Sequence, residues 1–234
     1  MDASTLLADL HAAVPLVAPS LLACDFANLQ QEIDAVTAAG ARVLHVDVMD
    51  GHFVPNISIG LPVVEAVRRV TDLPLDVHLM ISEPARYAQA FRDAGADLIT
   101  FHVEAVSDPS PLLARIRKSG ALAGVAISPP TSAAALEPCL DDCDLVLVMT
   151  VMPGFGGQQF QPTGLERLRW LSTRVGTKPL LSVDGGVNEE TIGPCAAAGA
   201  GMFVVGTALF GHSDYRERLG QLDEAARSAL EERV

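Results

Sequence analysis

Apolar residues in this chain gather into short continuous runs near residues 16–20, 43–48, 75–80, 98–103, 122–127, 145–150, 180–183 and 202–205. Each run is rich in Val, Leu and Ile and is too short for a helix, which predicts strands buried on both faces. Between the runs the periodicity changes to that of helices. In "FANLQQEIDAVTAAG", Leu29, Ile33 and Val36 repeat at helical spacing, and in "LPVVEAVRRV" Pro62 suits a first turn ahead of Val63, Val67 and Val70. In "SEPARYAQAFRDAG", Ser82 can cap, and Tyr87, Phe91 and Ala94 share one face. A phrase of glycine, alanine and then an apolar run recurs at Gly40, Gly95, Gly120 and Gly199. Glycine takes the left-handed conformation that ends a helix at little cost, so each of these marks a helix-to-strand junction.

Strand, loop, helix and glycine thus alternate through eight strands in 234 residues. The pattern predicts a parallel sheet covered by helices, and eight such units predict a single (β/α)₈ TIM barrel over residues 15–234. A doubly wound open sheet is the competing architecture. Residues 1–14, "MDASTLLADLHAAV", read as a short N-terminal extension with an amphipathic helix; Asp2 and Asp9 argue against a signal peptide.

The net charge of −13 argues against a nucleic-acid partner, and no apolar run approaches the ~18 residues of a membrane span. Cys24, Cys139, Cys143 and Cys195 show no metal-ligand spacing and read as free thiols, which suits a cytoplasmic location. The "NIS" at 56–58 matches a glycosylation sequon, read as coincidence without a secretory signal.

Against this apolar background some polar residues stand out. "HVDVMD" places His45 and Asp47 in strand 2, two apart and so on the same side; "LDVHLM" places Asp76 and His78 in strand 3; Asp184 follows the apolar run of strand 7. In a barrel the C-terminal strand ends carry the chemistry. His45, Asp47, His78 and Asp184 can therefore meet at one mouth, as ligands of one divalent metal or as a buried ion-pair network. His102 and Glu104 share a face of strand 4, as a supporting hydrogen-bond layer or a structural pair. Three glycine-rich segments, "PGFGGQ" (153–158), "DGG" (184–186) and "VGTALF" (205–210), lie at the ends of strands 6, 7 and 8 and hold no Lys or Arg. Exposed glycine backbone there suits a phosphate held by N–H groups.

With these pieces together the chain resembles the ribulose-phosphate 3-epimerase family. The matching stretches are "APSLLACDFANL" (18–29), "HVDVMDGHFVPNISIG" (45–60), "LDVHLM" (75–80), "FHVE" (101–104), "VMTVMPGFGGQ" (148–158), "SVDGGV" (182–187) and "VGTALF", in the family's order. The resemblance implies a barrel of the pentose phosphate pathway that interconverts D-ribulose 5-phosphate and D-xylulose 5-phosphate. It implies one divalent metal, Zn²⁺, Fe²⁺, Mn²⁺ or Co²⁺, on His45, Asp47, His78 and Asp184, with Asp47 and Asp184 also the acid/base pair. Ser20 and His78 would contact substrate, and Met49, Met80 and Met152 would line the cavity near the reacting carbons. Gly156, Gly157, Gly185, Gly186, Gly206 and Thr207 would bind its phosphate. A homo-oligomer is implied as well. Departures from the family pattern are small: Cys24 replaces a small residue, Thr207 stands where Ser is frequent, and Ser128 where Asn is frequent.

Such an enzyme would move a proton at C3 through a 2,3-enediolate, using two bases on opposite faces. Three rivals share parts of the pattern. An epimerase of a hexulose 6-phosphate such as allulose 6-phosphate would use the same chemistry. A barrel lyase or decarboxylase would call for a lysine that "HVDVMD" lacks. A non-catalytic sugar-phosphate binder would leave the two acids and two histidines unexplained.

Overall fold

The computed structural model describes residues 2–176 and 178–232. Eight parallel strands form its centre: β1 (Leu16–Pro19), β2 (Leu44–Met49), β3 (Leu75–Met80), β4 (Leu98–His102), β5 (Leu122–Ile127), β6 (Leu145–Met149), β7 (Leu180–Asp184) and β8 (Met202–Val205). Each pairs in parallel with its neighbour, in the order β1-β8-β7-β6-β5-β4-β3-β2. A parallel bridge between Ser20 and His45 joins the ends of β1 and β2 and closes the ring. The predicted strands are all present, with ends displaced by a residue or so. Asp184, expected just beyond β7, is its last residue.

The helices are α1 (Ala3–Ala12), α2 (Leu29–Ala39), α3 (Leu61–Val70), α4 (Pro84–Asp93), α5 (Ser110–Lys118), α6 (Thr163–Ser172), α7 (Ile192–Ala198), the short α8 (Thr207–Phe210) and the long α9 (Tyr215–Glu231). Between β5 and β6 the crossover is a 3₁₀ run, Ala133–Asp142, with Pro138 inside it. Proline there lacks the N–H that an α-helix would use. Gly40, Gly95, Gly120 and Gly199 have φ of 110°, 114°, 88° and 113°, the left-handed stops expected of them.

Alternation along each strand divides the core in two. In β2, Leu44, Val46 and Val48 point outward into the apolar layer beneath the helices, whereas His45, Asp47 and Met49 point into the barrel. The lower interior is closed by apolar side chains, among them Leu16, Val43, Leu98, Leu122, Leu145 and Leu180. Leu6 and Leu10 of α1 belong to the same cluster. The N-terminal extension is therefore a plug over the lower mouth.

Two helical faces differ from their sequence reading. In α3 the buried pair is Val64 and Val67, with Val63 and Val70 only partly covered. In α4, Ala88 and Phe91 are buried while Tyr87 is 37% exposed. The spacing identified both helices and placed Val67, Phe91 and Ala94 correctly, but its first position is one residue early in each, Val63 for Val64 and Tyr87 for Ala88, because the docking angle against the sheet decides which ridge is covered.

Gly95 makes a testable point about the α4–β4 junction. A Cβ built there would lie 2.4 Å from Cγ of Arg68, whose Nη1 donates to Asp97 at 3.0 Å. With φ already left-handed, Gly95→Ala is expected to lower stability by about 2 kcal/mol or more and the melting temperature by roughly 4–8 °C. Calorimetry checks this; an unchanged transition would mean that Arg68 moves aside freely.

Candidate active site

Strand register assembles the polar cluster. β2 and β3 pair His45 with Asp76 and Asp47 with His78, so each histidine stands beside a carboxylate on the neighbouring strand. His45 Nδ1 donates to Asp76 Oδ2 at 2.7 Å, which turns Nε2 toward Asp47 Oδ1 at 3.2 Å. His78 Nδ1 faces the same Oδ1 at 3.1 Å and lies 4.0 Å from Asp184 Oδ2. Ser20 Oγ donates to the other oxygen of Asp47 at 2.7 Å. His45, Asp47 and His78 are buried, and Asp184 keeps 17% of its side chain open to the mouth.

The four residues named from the sequence thus meet. One donor atom from each of His45, Asp47, His78 and Asp184 lies within 4.8 Å of the others. Ligands about 2.0–2.2 Å from a transition metal stand roughly 3–4 Å apart, so small inward shifts would close the set on one ion. The donors also suit a cation chemically: two imidazole nitrogens and two carboxylates, with Asp76 fixing the His45 ring from behind, as outer partners of metal ligands do.

A cation bound here would displace the proton that His45 otherwise carries, because a ligating imidazole must be deprotonated. Burial alone would lower the His45 pKa, but Asp47 and Asp76 outweigh it and hold the imidazolium far above its ordinary range. Burial would raise Asp47, and His45 and His78 outweigh that and hold it well below the usual carboxylate range. At Asp184 burial and the charge of Asp47 outweigh the opposing pull of His45 and the Gly185 amide and push it up to about 7. Two carboxylates in one mouth with pKa values driven apart can divide the roles of base and acid.

Behind His78 lies His102, with the two Nε2 atoms 2.9 Å apart and the rings stacked at 5.0 Å. Only one of these nitrogens can carry the proton between them. If His78 offers its Nδ1 lone pair to the cluster, its Nε2–H donates to His102, and His102 Nδ1–H is left for Glu104 Oε2 at 3.2 Å. Burial pushes His102 down to about 4, so it is neutral near pH 7 and able to accept. The pair seen in the sequence is thus joined to the cluster through hydrogen bonds.

A cavity opens above. Its deep end is lined by Ser20, Asp47, Met49, Met80, Met149 and Asp184. Its other end is lined by Gly156, Gly157, Gly185, Gly186, Gly206 and Thr207, with no Lys or Arg among the lining residues. Met152 departs from its sequence reading: it is 49% exposed and outside this lining. Met149, the last residue of β6 and on the inward side with Leu145 and Leu147, occupies the inner position, whereas Met152 lies in the loop beyond the strand. At Gly186, φ is 67° and a Cβ would lie 2.7 Å from the backbone nitrogen of Phe160. This bend requires glycine and keeps the local backbone open to a ligand.

Sequence reading missed the residue that organises the rim. Asp50 Oδ1 accepts from the amides of His52 and Phe53, both at 2.8 Å, and Oδ2 accepts from the amide and hydroxyl of Ser82 at 2.7 and 2.8 Å. Ser82, read as a helix cap, instead ties the loop after β3 to the loop after β2. The "MDG" turn was the only local signal for Asp50, and its partner lies on another strand.

A profile described as the ribulose-phosphate 3 epimerase family matches residues 16–210. A protein of Bacillus subtilis named ribulose-phosphate 3-epimerase is 50% identical over 210 residues, covering 88% of this chain and 97% of that one. One of the same name from Synechocystis is 45% identical, covering 91% and 94%. Among solved structures, 3-hexulose-6-phosphate synthase from Salmonella typhimurium superposes with a TM-score of 0.69 at 16% identity, covering 92% of this chain and 99% of that one. Orotidine 5'-phosphate decarboxylase from Pyrococcus horikoshii gives 0.67 at 14%, covering 91% and 99%. These two share the barrel fold.

Asp50 yields a prediction with a definite sign. Burial pushes its carboxyl up, but the amides of Ser82, His52 and Phe53 outweigh this and hold it at about 2. Asp50→Ala should cost about 1–2 kcal/mol at pH 7, roughly 2–8 °C in melting temperature. A carboxyl with a depressed folded pKa stabilises fully above its unfolded value near 4 and loses this as pH falls through 2. The gap between wild type and variant should therefore close over that window; a gap constant with pH would show that the carboxylate charge is not involved.

Proposed function

Since the chain belongs to the ribulose-phosphate 3-epimerase family, we propose that it interconverts D-ribulose 5-phosphate and D-xylulose 5-phosphate by proton transfer at C3. The observation that carries the reading is geometric: Asp47 and Asp184 meet His45 and His78 at one mouth, with donor atoms within 4.8 Å of one another. The two aspartates stand on β2 and β7, separated around the ring by β1 and β8, so their carboxylates approach the cavity from different sides. Inversion beside a ketone needs a base on one face and an acid on the other. Asp47 and Asp184 fill these roles and exchange them with the direction of reaction.

Ser20 donates to Asp47 Oδ2 and so fixes which oxygen faces the cluster and which way the carboxylate is turned. Met49, Met80 and Met149 cover the deep end with uncharged, polarisable surface that excludes water from a planar 2,3-enediolate. The glycine segments after β6, β7 and β8 give the phosphate backbone N–H groups, which suits a binding end without lysine or arginine in its lining. His45, Asp47, His78 and Asp184 would hold one divalent cation, with Zn²⁺, Fe²⁺, Mn²⁺ and Co²⁺ all compatible with the ligand set. Such an ion would supply Lewis-acid stabilisation of negative charge on the substrate oxygens.

The direct test is proton NMR of D-ribulose 5-phosphate with the purified protein in D₂O. Loss of the C3 proton signal with growth of xylulose 5-phosphate is expected. Absence of exchange with every candidate metal, alongside exchange in allulose 6-phosphate, would replace the pentose reading by the hexulose one. Asp184→Asn should fold normally and lose about 10²–10⁴-fold in turnover; full activity would remove it from the acid/base pair. Chelation should abolish turnover, and Asp76→Asn should weaken metal binding about 10–100-fold in competition with a chelator. Unchanged affinity would leave Asp76 as a structural partner only.

A further inference from the structure

We propose that Arg218 is a positioning residue for the phosphate end of the site, holding the loops after β7 and β8 together from behind the cavity. The inference rests on the phosphate reading of those loops.

Among the described residues Arg218 is the one lysine or arginine that is buried, at 7% exposure. It lies on the inner face of α9, beside the buried Leu219 and Leu222. Its Nε donates to the Ala208 carbonyl at 2.7 Å, its Nη1 to Gln221 Oε1 at 3.3 Å, and its Nη2 to the Glu189 carboxylate. Ala208 comes directly after Gly206 and Thr207, and Glu189 comes three residues after Gly186. One guanidinium therefore bonds a backbone carbonyl of the segment after β8 and a side-chain carboxylate of the segment after β7, the two segments that frame the glycine end of the cavity.

Fold stability alone does not account for this placement. Burying a guanidinium is costly, and a partner as exposed as Glu189, 57% open to solvent, returns little. Apolar residues of similar volume often replace such pairs without loss of stability. What an arginine provides here is geometry: its planar fork reaches Ala208 and Glu189 together, which a lysine ammonium cannot do. It also sets a buried positive charge next to a binding end whose own lining has none, within a chain of net charge −13. A phosphate dianion would meet backbone N–H groups held in register by a cation that never touches it.

The test uses the full chain with its metal supplied. Inorganic phosphate serves as the competing anion, and unphosphorylated D-ribulose as the substrate without one. In Arg218→Met, the KM for D-ribulose 5-phosphate and the inhibition constant of phosphate should both rise about tenfold, the scale of one charge-assisted hydrogen bond. Turnover number, melting temperature and C3 exchange in D-ribulose should stay near wild type. Arg218→Lys should fall between. Phosphate inhibition unchanged in Arg218→Met, or a melting temperature that falls while both substrates suffer alike, would overturn the proposal and make Arg218 a structural residue. If wild type itself is not inhibited by phosphate, the phosphate reading fails and takes this inference with it. Should Arg218→Met not fold, Glu189→Gln changes only an exposed carboxylate and should weaken phosphate inhibition about threefold; no change there would equally overturn the proposal.

Discussion

The carboxylate of Asp47 is the constraint around which the upper barrel is arranged. An ionised carboxylate cannot be buried without partners, and Asp47 has donors in His45 Nε2 and Ser20 Oγ, with His78 Nδ1 3.1 Å away as the third neighbour of the cluster. Each comes from a different part of the ring. His45 is on its own strand, His78 on the next, and Ser20 at the end of β1. The contact between Ser20 and His45 is also the bridge that closes the barrel. Ring closure and the burial of this charge are thus one structural event. Asp76 and His102 extend the same logic outward, since each fixes the ring of a histidine that faces Asp47.

The two ends of the cavity handle negative charge in different ways. At the deep end, imidazoles and the prospective cation offset two carboxylates. At the glycine end, the lining carries no cationic side chain, and the positive partial charges belong to the backbone. This separation has a physical advantage in an acidic chain. A lysine in the lining could pair with Asp47 or Asp184 and quench the acid/base pair, whereas amides fixed in the loops cannot move to them. Arg218 is outside that lining, its guanidinium occupied by Ala208 and Glu189 of the segments after β8 and β7.

Local patterns carried the fold, and long-range contacts carried what local patterns missed. The strands were legible because buried parallel strands read as apolar runs, and the helix ends because glycine alone tolerates φ near 110°. The cluster of His45, Asp47, His78 and Asp184 was legible because polar residues at strand ends of a barrel have one mouth to meet in. Resemblance to a family then supplied roles that spacing left open between a metal site and an ion-pair network. Ser82 misled because its carboxylate partner, Asp50, belongs to another strand's loop. Met152 misled because the parity of a chain leaving a strand is set by the loop; Met149 holds the inner place. Arg218 was invisible for the same reason: in sequence it is one arginine in a polar helix, and its two loop partners lie at positions 189 and 208.

Cost and compensation are also divided along the barrel axis. The upper interior buries His45, Asp47, Asp76, His78 and His102, groups that a purely stable core would exclude. The lower interior is apolar throughout its named cluster and is completed by Leu6 and Leu10 from α1. A barrel whose upper half is committed to charge depends on such a floor. It supplies apolar burial without polar obligations and keeps water from reaching the carboxylates from below. The N-terminal helix, outside the family resemblance in sequence, is in this sense part of the site: it secures the dry end against which the polar end is held.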